Sequence, residues 1–170
     1  RNGIGPQDGG LGRTLALRDQ SCGIEICHGI LEKKLDLWWW CLSRIDLLLR
    51  NEEMVKEMVR AGAKSVFIGV ESSNPKTLEE LKKGIDVENT VQAVDMLKRN
   101  GLEIHAAYIL GGLHETAEVI HETIRFAKRL DTNVAQFSIL TPYPGTAVYE
   151  QVYISFSFHN GNTPTPALIS

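Results

Sequence analysis

The chain has 170 residues, 43% apolar and 23% charged, with a formal net charge of −3 and a pI near 6.0. That length suffices for one domain with its own core, and the mildly acidic balance gives no electrostatic case for a nucleic-acid or acidic-membrane partner. The longest apolar run, residues 35–42, is broken by Asp36 and falls far short of the roughly 20 residues that cross a bilayer.

Taken in chain order, residues 1–23 hold Gly3, Gly5, Gly9, Gly10, Gly12 and Gly23 with little periodic apolar pattern, which predicts an irregular arm. No signal-peptide pattern stands at the N-terminus, and Arg1 is not a start residue, so the expectation is a piece of a longer protein. Ile26, Ile30 and Leu31 at helical spacing predict a short helix over 24–34. Residues 37–42, with Trp38, Trp39 and Trp40, read as a strand. The three tryptophans alternate faces, and core packing is their expected role. Asn51 is placed to cap a helix whose first turn carries Glu52 and Glu53, whose stripe is Met54, Val55, Met58 and Val59, and which ends at Gly62. A buried strand over 65–70 runs into Glu71 and Ser72. Thr77-Leu78-Glu79-Glu80 has the form of a capping box, closed by Gly84. Asp86 opens a longer helix that buries Val91, Val94 and Leu97 and stops at Gly101. A strand over 102–110 follows, then a helix capped by Thr116 with Val119, Ile120, Ile124, Ala127 and Leu130, then a strand over 134–140 and a short helix near 147–152. Residues 154–170 are rich in Ser, Thr, Asn and Pro and read as an irregular tail.

Strands separated by helices imply parallel pairing and right-handed crossovers, hence an α/β fold over 24–153. The spacing suits either (β/α) barrel units or a doubly wound sheet. In both, ligands gather at the carboxyl ends of strands. Three ends differ in chemistry. Glu71 switches an apolar run abruptly to a carboxylate, either to accept hydrogen bonds from a ligand's hydroxyls or ammonium or to pair with Lys76 or Lys82. Gly111-Gly112 before Glu115-Thr116 either lets a ligand approach the backbone or is a turn with a cap and a dipole-favoured acid. Pro142-Tyr143-Pro144-Gly145-Thr146 is a stiff loop able to wall a pocket, with Gln136 or Ser138 on the preceding strand pointing into it, or else a plain tight turn. Arg44 and Asp46 are read as a structural salt bridge over a ligand-facing pair. Of the five histidines, only His114, in the glycine loop, stands where chemistry is done. There is no Ser-His-Asp order, no phosphate-binding P-loop and no dinucleotide glycine fingerprint. Cys22, Cys27 and Cys41, odd in number and irregular in spacing, exclude a disulfide framework, form no zinc motif, and suit a reducing, cytoplasmic setting.

Trp39-Trp40-Cys41-Leu42-Ser43-Arg44-Ile45-Asp46, Ala61-Gly62-Ala63-Lys64-Ser65-Val66-Phe67-Ile68-Gly69-Val70-Glu71-Ser72, Thr77 through Gly84, Tyr108-Ile109-Leu110-Gly111 with Glu115-Thr116, and Thr141-Pro142-Tyr143-Pro144-Gly145-Thr146 occur in that order. Together they resemble the C-terminal part of a radical S-adenosylmethionine (radical SAM) core domain, of the subgroup that carries a cobalamin-binding domain. The resemblance implies a partial, TIM-like (β/α) barrel with about four βα units, its third to sixth strands. It implies that Glu71 and Ser72 meet the ribose or amino acid part of S-adenosylmethionine, and that Ile109, Leu110 and Gly111 border the adenine. Pro144, in the loop after the sixth strand, and Gln136 on that strand would lie near the nucleoside. The family's C-x-x-x-C-x-x-C motif is absent, so no metal site is expected in this chain, and the 4Fe–4S cluster is expected only in a full-length parent. The parent would cleave S-adenosylmethionine reductively and act by radical chemistry or cobalamin-assisted methyl transfer on an unidentified small molecule. This chain by itself would be an inactive fragment with no assignable catalytic residue. Two other readings stand beside it. One is a non-radical (β/α) small-ligand enzyme using Glu71, Glu115 and His114. The other is a non-enzymatic piece that self-associates through open barrel edges.

Overall fold

The computed structural model describes residues 13–17, 19–81, 84, 86–146 and 148–150. Among the described residues, five strands and six helices follow in the order β1 (Arg13–Ala16), α1 (Gln20–Glu32), β2 (Trp39–Ser43), α2 (Ile45–Arg50), α3 (Glu52–Arg60), β3 (Ala63–Glu71), α4 (Pro75–Glu80), α5 (Val87–Arg99), β4 (Glu103–Leu110), α6 (Ala117–Leu130) and β5 (Val134–Ile139). Every neighbouring pair is parallel, and the strands lie in the sheet in chain order, β1-β2-β3-β4-β5. A doubly wound sheet reverses its order at a switch point. This one does not, so among the described residues it is an open sector of a (β/α) barrel with β1 and β5 at its edges.

The register separates the two faces. Leu15, Cys41, Val66 and Ile104 stand in one row across β1 to β4. Cys41, Val66 and Ile104 have no exposed surface, and with Trp39, Ile68, Ala106 and Tyr108 they pack under the helices. Ala16, Leu42, Phe67, His105 and Val134 form a row on the opposite face. There Leu42 and Val134 are 41% and 43% exposed. The helices therefore cover one face and leave the concave face open. From helix to sheet, Met54, Val55 and Met58 of α3 and Val94 and Leu97 of α5 are fully or almost fully buried, as their spacing predicts; Val91, expected inside with them, is instead 37% exposed, and Thr90 and Ala93 take the inner face of that turn.

Trp39 anchors the base of β2. Its indole N–H donates to the Ala61 carbonyl at 2.9 Å, and its ring is 1% exposed. Gly62, at φ +90°, makes this possible, because a Cβ there would stand 2.0 Å from the Leu37 carbonyl oxygen. Trp39 is thus core, as expected for the tryptophan strand.

Four further expectations are corrected. The stretch read as an irregular arm contains β1 and the first turns of α1, whose N-cap Asp19 accepts from Cys22 N at 2.8 Å; residues 1–12 lie outside the described ones. A four-residue strand with the sequence Arg-Thr-Leu-Ala has no readable alternation, and pairing with β2 defines it. The sheet accordingly has five strands, not four. The six-residue helix α2 between Arg44 and Asn51 was not foreseen. Finally, α4 is not capped by Thr77: Asn74 is the cap, accepting from Lys76 N at 3.0 Å and Thr77 N at 3.2 Å, with Pro75 in the first turn. Of the helix expected near 147–152, residues 148–150 are described and helical; the others, and the tail 154–170, lie outside the described residues.

Candidate ligand site at the carboxyl end of the sheet

The strands β3, β4 and β5 deliver their loops to one end of the sheet. β3 stays regular as far as Gly69, which pairs with Ala107. The next pairing skips a residue, Glu71 to Tyr108, so the strand ends in a bulge. Glu71 stands there with φ +67° and is 6% exposed. A left-handed non-glycine residue costs on the order of 1–3 kcal/mol and persists where its surroundings hold it, a state concentrated at functional sites. A bulge also re-aims the side chain that terminates a strand.

Ser72, the next residue, is 1% exposed. Its hydroxyl lies 3.2 Å from the Thr123 hydroxyl on α6, accepts from Asn74 N at 3.1 Å and lies 3.4 Å from Glu115 Oε1. Thr123 is fully buried and also accepts from Ser73 N at 3.3 Å. Glu115 draws donors from both neighbouring loops and from α4. Its Oε2 accepts from Gly111 N at 2.8 Å and Gly112 N at 3.1 Å, and its Oε1 accepts from the Thr77 hydroxyl at 3.1 Å. The paired glycines are thereby explained. Gly111 takes φ +86°, and a Cβ on Gly112 would crowd Glu115 Cγ at 3.2 Å. Their N–H groups face this carboxylate, so a ligand beside Gly111 meets the bare Cα and the carbonyl edge.

On the concave face, Gly69, Ala107 and Gln136 make one row and Ile109 and Ser138 the next, towards the carboxyl end. Gly69 and Ala107 leave a shallow floor with Ile109 half-buried beside it and Gln136 exposed. Leu110 pairs with Ile139, and its carbonyl accepts from Leu140 N at 2.8 Å. Pro144 sits in an exposed turn closed by Thr146, whose N–H and hydroxyl donate to the Tyr143 carbonyl at 3.1 and 2.7 Å.

The other candidates fall elsewhere. Arg44 and Asp46 form a two-pronged pair, 2.9 and 3.2 Å, at the start of α2. The Arg44 guanidinium, hydrogen-bonded to Asp46, holds that carboxyl below its ordinary range. This is the structural salt bridge anticipated from sequence. His114 is 78% exposed, 3.8 Å from Glu80 Oε1. It lines a cleft of about 390 Å³ with Asn74, Lys76, Thr77, Glu80 and Val119, between α4 and the start of α6. None of Glu71, Ile109, Gly111, Gln136 or Pro144 lines that cleft.

Comparison with known proteins bears on the family and the fold. The Radical SAM superfamily model matches residues 18–127. An uncharacterized methyltransferase of Pyrococcus horikoshii is 40% identical over 127 residues, which is 75% of this chain and 27% of that protein. The anaerobic magnesium-protoporphyrin IX monomethyl ester cyclase of Rubrivivax gelatinosus is 28% identical over 148 residues, 85% of this chain and 27% of that enzyme. Among solved structures, the radical S-adenosylmethionine methyltransferase TsrM of Kitasatospora setae, with cobalamin and a [4Fe-4S] cluster bound, superposes with a TM-score of 0.70 at 19% identity, over 81% of this chain and 26% of that one. The sheet is a barrel sector of the kind these enzymes share. This chain belongs to the radical SAM superfamily, and it spans about a quarter of the length of the curated relatives it matches.

The superfamily implies S-adenosylmethionine and a 4Fe–4S cluster. The thiols present do not fit the cluster. Cys27 and Cys41 are fully buried in the core, and burial raises their pKa to about 11 and about 12, whereas a cluster ligand is a thiolate. Among the described residues, no group of three or more His, Cys, Asp or Glu is placed to hold a metal ion. No helix among them is long and apolar enough to cross a membrane.

Proposed function

We propose that this chain is the part of a radical SAM enzyme that holds the nucleoside and methionyl portions of S-adenosylmethionine. The carrying observation is Glu71: a buried carboxylate, held in a left-handed conformation at the bulge that ends β3, beside the open small-residue floor of Gly69 and Ala107. In this reading Glu71 accepts from the ribose hydroxyls or the ammonium group. Ile109 and Leu110 border the adenine, and Gly111 lets it approach the backbone. Gln136 offers an amide from the concave face, and Pro144 stiffens the loop beyond. Ser72, its hydroxyl already engaged with Thr123, Asn74 and Glu115, serves by fixing the loop rather than by touching the ligand. Reductive cleavage of S-adenosylmethionine is the chemistry that the superfamily's cofactors would supply in the parent; this chain's residues would bind, orient and shield. The methyltransferase and cyclase relatives, and the cobalamin in TsrM, support a parent that carries out methyl transfer or a related radical reaction on a small molecule, with cobalamin as a further cofactor. Alone, with no cysteine set that fits the cluster, the chain is catalytically silent. Three unpaired thiols suit a reducing cytoplasm.

The test is calorimetric titration of the whole chain with S-adenosylmethionine, with and without anaerobic iron and sulfide. The expected result is iron-independent binding that Glu71→Ala weakens by about tenfold or more, a loss of roughly 1.4 kcal/mol. Binding that Glu71→Ala leaves unchanged removes Glu71 from the site, and no binding in either condition removes the proposal.

A further inference from the structure

In sequence, Glu115 looks like an acid placed near the start of α6. In the structure its carboxylate gathers four donors from three segments: the Gly111 and Gly112 amides of its own loop at 2.8 and 3.1 Å, the Thr77 hydroxyl of α4 at 3.1 Å, and the Ser72 hydroxyl after β3 at 3.4 Å. A carboxylate only accepts, and a hydroxyl has one proton to give. If Ser72 spends its proton on Glu115, Thr123 must donate to Ser72, and Ser73 to Thr123, at 3.2 Å each. The chain Ser73, Thr123, Ser72, Glu115 therefore runs in one direction and ends on the negative charge. Such a series strengthens cooperatively in a buried setting. It ties the loop that follows Glu71 to the loop that contains Gly111, across 38 to 43 residues of sequence.

We infer that Glu115 is a positioning residue for the ligand site: its carboxylate clasps the β3–α4 and β4–α6 loops together and so sets the distance between Glu71 and Gly111. This rests on the S-adenosylmethionine reading of the site only for the identity of the ligand. The clasp itself is a property of the chain.

The chemistry of substitution separates positioning from direct contact. Glutamine keeps the length of the side chain. Its oxygen can stay on the two glycine amides while its NH2 group turns to the hydroxyls, which rotate and reverse the chain. Glu115→Gln should therefore keep most of the clasp, and Glu115→Ala should lose it. Thr116→Ala removes the α6 cap, which accepts from Val119 N, and destabilises the same region without touching the clasp.

The experiment measures two quantities on the whole chain: hydrogen exchange at the Ser73 and Asn74 amides, and affinity for S-adenosylmethionine. Exchange at both amides is expected to quicken in Glu115→Ala and to stay near the parent rate in Glu115→Gln and Thr116→Ala. Affinity is expected to fall about tenfold in Glu115→Ala and to stay within about threefold of the parent in the other two. Glu115→Gln losing affinity as fully as Glu115→Ala would make Glu115 a ligand contact and overturn the inference. So would Thr116→Ala matching the loss in Glu115→Ala, because stability alone would then explain it. Should the parent chain bind no S-adenosylmethionine, the ligand assignment falls and exchange alone decides the clasp: quickened Ser73 and Asn74 amides in Glu115→Ala uphold it, and unchanged ones overturn it.

Discussion

Glu71 occupies a conformation that an L side chain adopts only when its surroundings impose it, and its neighbours show what imposes it. Val70 and Ser72 on either side are 2% and 1% exposed, and the Ser72 hydroxyl is pinned from three directions. The sequence shows an apolar strand stopping on a carboxylate at Glu71; the burial and the left-handed backbone come from the fold. The partners of the neighbouring Ser72 hydroxyl were not readable in sequence, because Thr123 lies on α6 and meets it only through the fold. The thiols show the same dependence on burial. Cys27 and Cys41 rise from an ordinary 9.0 to about 11 and about 12, mainly through desolvation. Below pH 9 the folded and unfolded chains both keep these protons, so the contribution to stability is complete. Above 9 the unfolded thiols ionise while the folded ones do not, and stability falls until the folded values are passed. Urea denaturation is expected to show no loss on this account from neutral pH to pH about 9, and a progressive loss towards pH about 11 that Cys41→Val reduces.

Among the elements, the ones read correctly from sequence carry their own signals. α3, α5 and α6 have apolar stripes at helical spacing, and Asp86 and Thr116 cap where expected, accepting from Asn89 N at 2.7 Å and Val119 N at 3.5 Å. β3 and β4 are apolar runs too strong to miss. The elements that were misread are short. α4 starts at Asn74-Pro75 and not at Thr77, because proline pre-sets the first turn and leaves no N–H unsatisfied. Thr77 is then inside the helix, 4% exposed, with its hydroxyl turned to Glu115. Asn51 likewise precedes α3 without capping it, since its amide donates back to the Leu47 carbonyl at 2.7 Å. Asn74→Ala is expected to cost about 1 kcal/mol, the usual loss for an N-cap, visible as a lower thermal midpoint.

Among the described residues the sheet ends at β1 and β5. Val134, Phe137 and Ile139 of β5 are 43%, 41% and 79% exposed, although Phe137 stacks on Tyr108 with ring centroids 5.0 Å apart. An unpaired apolar edge is a template for pairing with another strand. The chain alone is expected to self-associate through β5, and Ile139→Lys is expected to shift it towards monomer in sedimentation velocity, since a charge on an edge strand blocks further pairing. A monomeric parent chain would show that this edge is already covered.

Composition and the alternation of strands with helices determined the α/β class and the parallel pairing, because these follow from local periodicity and chain connectivity. Only the tertiary structure decided that the strands follow in unbroken order as a barrel sector, that a four-residue segment joins them, and that Glu115 serves the loops while His114 faces solvent. Those outcomes depend on which groups meet across 40 or so residues of chain, and a carboxylate's role is set by the donors that reach it.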